Sequence, residues 1–357
     1  MNQTQSQAGT GVIGWTCGYV PEEIILAAGL ESVRIRGAVQ SLKQADAYMF
    51  PNFCPYVRNL LDSGLRGEYR DLDGIVFTNS CDAMRRIREL WDSHVKTPFS
   101  FMLEVPKNWD EGAVTYFSDQ LVALQTQLED FIGTKISGAS LEESIRIMNE
   151  QRALMVQLLE RQKAKTAVIG GSELLAICLE AMSSPKEAFM KKLKEILAQS
   201  PSVNSGSDGQ PRVLVVGSVL DRLDLLEKVE AAGASVVAFD TCAGLRHWSG
   251  LVQEGRNAVE ALARRYLLKP PCPRMPDFAR RIDQITELVR DYSIDGVIYS
   301  AVKFCDYGLF ETPVIESELR NLRVPFIAIE NDYVFGDMER IGVRLEAFVE
   351  MIKGELD

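Results

Sequence analysis

Seven cysteines offer this 357-residue chain its most distinctive chemistry. Six stand at or near the ends of expected elements. Cys17 follows the apolar run "GVIGW", Cys54 lies in "NFCPYVRN", and Cys81 in "TNSCD". Cys242 lies in "FDTCAGLR", Cys272 in the proline-rich "PPCPRMP", and Cys305 in "VKFCD". Cys178, inside the apolar helical run "ELLAICLEAM", reads as a core thiol, since free cysteine is often a small buried hydrophobe. Without an export signal a disulfide framework is disfavoured, and metal binding or redox chemistry becomes the competing reading. A zinc site usually draws one close pair of ligands, and no such pair occurs here. The histidines number two, His94 and His247, which argues against a His-rich zinc or non-haem iron site. A nucleophilic thiol wants a histidine, and His247, near Cys242, is the one candidate for a Cys–His pair. Thiolates from distant loops can hold an iron–sulfur cluster without compact C-x-x-C spacing.

Those loops need strands to place them. The first part alternates apolar strand-like runs (11–15, 32–37, 73–79, 98–106) with helical ones (21–28 and 82–93). Such a rhythm predicts a parallel sheet with helices on both faces. From about 115 to 199 the spacing is helical throughout, with a capping box at Ser140 and Glu143 and a second helix start at Ser184–Pro185. The Ser/Gly/Pro-rich stretch 200–211 reads as a linker. Strands at 212–217, 235–240, 295–301 and 324–332 then alternate with helices near 220–232, 254–267, 277–292, 308–322 and 337–353. The expected architecture is therefore α/β: two Rossmann-like parallel-sheet domains (1–114 and 206–357) with a helical insert (115–205) between them. "DGIVFTNSCD" and "DGVIYSAVKFCD" echo each other, each an Asp-Gly turn, an apolar strand, a polar loop and Cys-Asp. In parallel sheets ligands collect outside the carboxyl ends of the strands. Cys17, Cys81, Cys242 and Cys305 all follow strands, so the cysteine loops could converge on one crevice.

Composition narrows the partners. Apolar residues make up 46% of the chain, enough for more than one core, and no run is long and apolar enough to span a membrane. The polar start "MNQTQSQAGT" reads as a frayed tail on a cytoplasmic protein. A net charge of −11 repels phosphate backbones, so nucleic acid is a poor partner. No P-loop occurs, and "VIGGSELL" lacks both a preceding strand and a lysine. Glu22 and Glu23 suit the first turn of a helix through its dipole. Arg58, Arg85 and Arg246 follow cysteine loops and could meet phosphates or sulfur. Glu311 and Glu330 lie on the crevice side, Glu330 as a candidate base, and "NDY" (331–333) ends the last strand.

The pieces "CGYVPEEIILAAGL", "FCPYVRNLLDSGL", "TNSCDAMRRI", "FDTCAGLR", "VKFCDYGLFETPVIESEL", "VPFIAIENDY" and "RLEAFVEMI" occur in this order along nearly the whole chain. In them the chain resembles the subunits of 2-hydroxyacyl-CoA dehydratases and benzoyl-CoA reductases (the D-component family), and its length resembles the smaller subunit. The resemblance implies a [4Fe–4S] cluster held by Cys54, Cys81 and Cys305. It implies a homologous second subunit, a CoA-thioester substrate, and an ATP-dependent iron–sulfur activator protein that injects single electrons. It implies oxygen-sensitive, ketyl-radical-type chemistry on the thioester, as a lyase or an oxidoreductase of anaerobic metabolism. Cys242 and Cys272, with Cys17, also resemble a homodimeric branch whose ATP-dependent reductases of small molecules carry a double-cubane [8Fe–9S] cluster.

Overall fold

A computed structural model describes residues 11–37, 42–164, 169–199, 209–255, 257–333 and 337–356. The polar N-terminal stretch and most of the expected linker lie outside them.

The first sheet contains β1 (Val12–Trp15), β2 (Glu31–Arg34), β3 (Gly74–Thr78) and β4 (Phe99–Leu103), all parallel, in the order β2-β1-β3-β4. Its connections carry α1 (Glu22–Ala27), α2 (Pro55–Leu65) and α3 (Asp82–Leu90), and α3 runs into a π-helical turn at Trp91–Val95. Every residue of β3 is buried, as expected of a strand covered on both faces.

Four helices follow: α4 (Glu111–Ile132), α5 (Gly138–Glu160), α6 (Gly171–Ala181) and α7 (Lys186–Ala198). The expected capping box is displaced. Ser137 caps α5 by accepting from the Ser140 amide, so Ser140 and Glu143 lie inside the helix. Likewise α7 begins at Lys186, with Pro185 as its cap.

The second sheet is β5 (Arg212–Gly217), β6 (Ser235–Asp240), β7 (Gly296–Val302) and β8 (Phe326–Asn331), again parallel and in the permuted order β6-β5-β7-β8. Around it lie α8 (Asp224–Ala231), α9 (Leu245–Trp248), α10 (Ala258–Leu268), α11 (Phe278–Asp291), α12 (Asp306–Asn321) and α13 (Asp337–Leu356). The two sheets thus repeat one topology, as the Asp-Gly echo implies.

The helical segment shares a core with both sheets. One apolar cluster includes Trp15 and Ile24 from the first part, Leu158 and Leu174 from the middle, and Val215 and Tyr299 from the last. Glu22 and Glu23 do stand in the first turn of α1, as the dipole reading expects, but they do more than that. Both are fully buried and join the three parts. Glu23 accepts from Arg152 of α5 at 2.6 Å and from the Tyr266 hydroxyl of α10 at 2.8 Å. Glu22 accepts from Lys186 of α7 at 2.7 Å and from Ser32 of β2 at 3.0 Å. Among the described residues no helix is long and apolar enough to cross a membrane.

Candidate functional site

Cys54, Cys81 and Cys305 occupy one structural position in three different connections. Each is the residue immediately before a helix: Cys54 before α2, Cys81 before α3 and Cys305 before α12. None of the three makes a side-chain cap hydrogen bond. The nearby first-turn amides still favour the ionised thiol: those of Tyr56 and Val57 for Cys54, Ala83 and Met84 for Cys81, and Gly308 for Cys305. A helix N-terminus carries partial positive charge and favours a thiolate. Burial works the other way and prevails. It holds Cys54 far above the ordinary thiol range, with Cys305 and Cys81 adding to the rise. It holds Cys81 at about 11 against its amides, and Cys305 also above its usual value. As bare thiols all three therefore stay protonated near neutral pH, and a cationic group would be needed to hold them as thiolates.

The three sulfurs border one apolar cluster, distinct from the main core. It contains Ile35, Leu60, Phe77 and Trp91 of the first part and Val302 and Tyr333 of the second. Cys54 feels the charge of Cys305 and Cys81, and Cys81 that of Cys305, as expected of thiols bordering one cluster. Among the described residues no three His, Cys, Asp or Glu side chains converge closely enough to hold a single metal ion. A cubane spaces its ligands more widely, because each thiolate binds a different iron. The donor set (three half-buried thiols, backbone N–H groups aimed at sulfur, an apolar surround) fits such a group.

Cys17, Cys242 and Cys272 form a second neighbourhood, richer in cations. Tyr19 is buried there, and desolvation first and the Cys272 thiol second push its hydroxyl well above the usual range. The Lys269 ammonium lies 4.5 Å from the Tyr19 ring centre and donates to the Gly18 carbonyl. Burial depresses Lys269 to about 7, aided by Arg265 and opposed by Cys17, Cys272 and Cys242. Arg34 donates to the Cys242 carbonyl at 2.8 Å. Arg274, two residues past Cys272, donates to the Ser80 carbonyl at 3.2 Å, so it ties this neighbourhood to the Cys81 loop. Cys178 is fully buried, as expected.

The remaining candidates sort by burial. His247 is buried, stacked on Trp15 at 5.7 Å, and its Nε2 lies 3.5 Å from Glu22. Burial pulls its pKa down to about 3, so it is neutral, and it faces a carboxylate rather than a thiol. His94 stacks on Tyr48. Arg58 is buried and bonds Asp46 and the Pro51 carbonyl, whereas Arg85 is exposed. Arg246 and Glu311 are buried in a network that the sequence does not disclose. Arg281 bridges Asp240 and Glu311, the latter at 2.6 Å; Arg246 joins Asp240 at 3.1 Å; and Tyr299 OH donates to Glu311 at 2.8 Å. Glu330 is exposed. Missed as well is Asp221, half-buried and accepting from Tyr333 OH, whose carboxyl is pushed up chiefly by desolvation. Asp240 ends a strand and Arg281 lies on an amphipathic helix, but their pairing is long-range and leaves no local signal.

Two permuted parallel sheets with cysteines in the loops after their strands define a class. The family model for the D-component of 2-hydroxyglutaryl-CoA dehydratase matches residues 17–352, and the chain belongs to that family. It is 26% identical over 349 residues to the (R)-phenyllactyl-CoA dehydratase beta subunit of Clostridium sporogenes, covering 97% of this chain and 93% of that protein. It is 26% identical over 350 residues to a subunit of the benzoyl-CoA reductase of Thauera aromatica, with 96% and 91% covered. It is 23% identical over 353 residues to the (R)-2-hydroxyglutaryl-CoA dehydratase beta subunit of Acidaminococcus fermentans, with 96% and 93% covered. All three relatives are named as subunits of enzymes.

Proposed function

We propose that this chain is the iron–sulfur subunit of an oxygen-sensitive 2-hydroxyacyl-CoA dehydratase or benzoyl-CoA reductase, and that Cys54, Cys81 and Cys305 hold a [4Fe–4S] cluster. The observation that carries the reading is the shared position of these three thiols, each just before a helix and all bordering one apolar cluster. Such a cluster supplies single electrons at low potential, as ketyl-radical chemistry on a CoA thioester requires. The chain's own part is to fix three thiolates, direct backbone N–H groups at their sulfurs, and keep water away with the apolar cluster around Phe77 and Trp91. The subunit names of the relatives support a homologous partner subunit. The radical chemistry would further need an ATP-dependent iron–sulfur activator protein as electron donor. The setting would be cytoplasmic.

A second reading is favoured by one observation: Cys305 feels Cys242, and Cys81 feels Cys17. Six thiols in contiguous neighbourhoods suit a double-cubane cluster in a homodimeric, ATP-dependent reductase. Anaerobic purification followed by iron and sulfide analysis separates the two. About four irons per chain supports the first reading and about eight the second. A colourless, iron-free chain that tolerates serine at positions 54, 81 and 305 would falsify both.

A further inference from the structure

The loops after β1, β3, β6 and β7 carry cysteines, and the loop after β5 carries Ser218 in the equivalent place. Its Oγ lies 3.9 Å from Cys305 Sγ, within hydrogen-bond reach for sulfur. We propose that Ser218 is a positioning residue that donates its hydroxyl proton to Cys305 Sγ and thereby raises the reduction potential of the group those thiolates hold. This inference rests on the proposed iron–sulfur function and deepens it.

Both ends of the contact are fixed by one buried network. On the serine side, the Ser218 carbonyl accepts from the Cys242 amide at 2.9 Å and from Arg246 at 3.3 Å. Arg246 also donates to the Gly217 carbonyl at 2.5 Å. Gly217 lets the chain come close to β7: a Cβ there would collide with the Ser300 carbonyl oxygen. On the sulfur side, Cys305 caps α12, whose Glu311 is held by Arg281 and Tyr299. Asp240 joins the two halves, accepting from Arg246 and Arg281 alike. The hydroxyl thus reaches the sulfur from a backbone that cannot drift away from it.

Hydrogen bonds to thiolate sulfur draw off negative charge, which stabilises the more negative, reduced state and raises the potential. Cys305 makes no side-chain bond to the first turn of α12, and Ser218 supplies the hydroxyl contact to its sulfur.

The test compares wild type, Ser218→Ala and Ser218→Thr as anaerobically purified full-length proteins, by iron content and by redox titration followed by electron paramagnetic resonance. The expected result is unchanged iron and a lower potential in Ser218→Ala, by a roughly tenfold change in the redox equilibrium, or about 59 mV for one electron. Ser218→Thr should stay near wild type. Equal iron with equal potentials in all three proteins would overturn the inference and leave the cluster reading standing. Iron lost from Ser218→Ala but kept in Ser218→Thr would show a ligand-holding role and overturn redox tuning. Iron absent from wild type would overturn the cluster reading and this inference with it.

Discussion

Cys54, Cys81 and Cys305 differ from Cys17, Cys242 and Cys272 in what surrounds their sulfurs. The first three cap helices of nine or more residues and border the apolar cluster. The others stand in loops near protein cations: Lys269, Arg34, Arg246 and Arg274. Burial nonetheless holds the Cys272 thiol above its usual value against Arg274 and Arg246. In the first neighbourhood burial likewise prevails over the helix starts, so stable thiolates there require a cationic group from outside the chain. The difference teaches which trio the fold sets at helix starts beside an apolar cluster, and which it sets among its own cations.

The largest expected effect is on metal retention. Cys54→Ser, Cys81→Ser or Cys305→Ser should each lower iron per chain at least several-fold, with loss of the brown visible absorbance. Cys17→Ser, Cys242→Ser and Cys272→Ser should leave it largely intact. Loss of iron in all six variants would erase the distinction and favour the double cubane.

Next come the buried ion pairs beneath the cationic neighbourhood. Arg152→Ala leaves Glu23 charged and buried, and should cost about 3–5 kcal/mol in urea unfolding. A loss under about 1 kcal/mol would mean that water reaches the site. Arg246→Ala should cost less, since Arg281 still pairs Asp240, and exposed Arg85→Ala should stay within about 0.5 kcal/mol.

A pH effect is smaller and has a defined sign. His247 is depressed from 6.5 to about 3, first by burial. The unfolded chain therefore binds more protons between those values, and stability falls as pH drops from about 6.5 toward 3. Glu22 adds to the same trend lower down: burial raises its pKa, but Lys186 and His247 outweigh that and bring it to about 2. His247→Gln should flatten the dependence of the urea midpoint on pH between 6.5 and 4.5. An unchanged slope would show that the imidazole is accessible to water.

The smallest effect is at a site far from either trio. Ser137→Ala removes the α5 cap and should cost about 1 kcal/mol without altering iron content.

Much of the scaffold was legible because strand patterning and Asp-Gly turns are local. The echo between "DGIVFTNSCD" and "DGVIYSAVKFCD" correctly anticipated a repeated sheet topology. Helix starts were less legible. "SGASLEES" contains two serines able to cap, and α12 begins at Asp306 rather than near 308, which turns Cys305 from a loop residue into a cap. The four-residue α9 is too short to show a period. The burial of Glu22 and Glu23 was illegible because acidic residues in a first turn look alike whether solvated or buried; their cationic partners lie more than a hundred residues away. For the same reason Ser218 carried no signal, since its significance depends on where Cys305 folds.

Iron-edge anomalous diffraction from anaerobically grown crystals tests the central claim most directly. The account predicts one compact group of iron peaks, each ligated iron bonded to Sγ of Cys54, Cys81 or Cys305. Iron bound solely at residues 17, 242 and 272, with the helix-capping sulfurs bare, would contradict it.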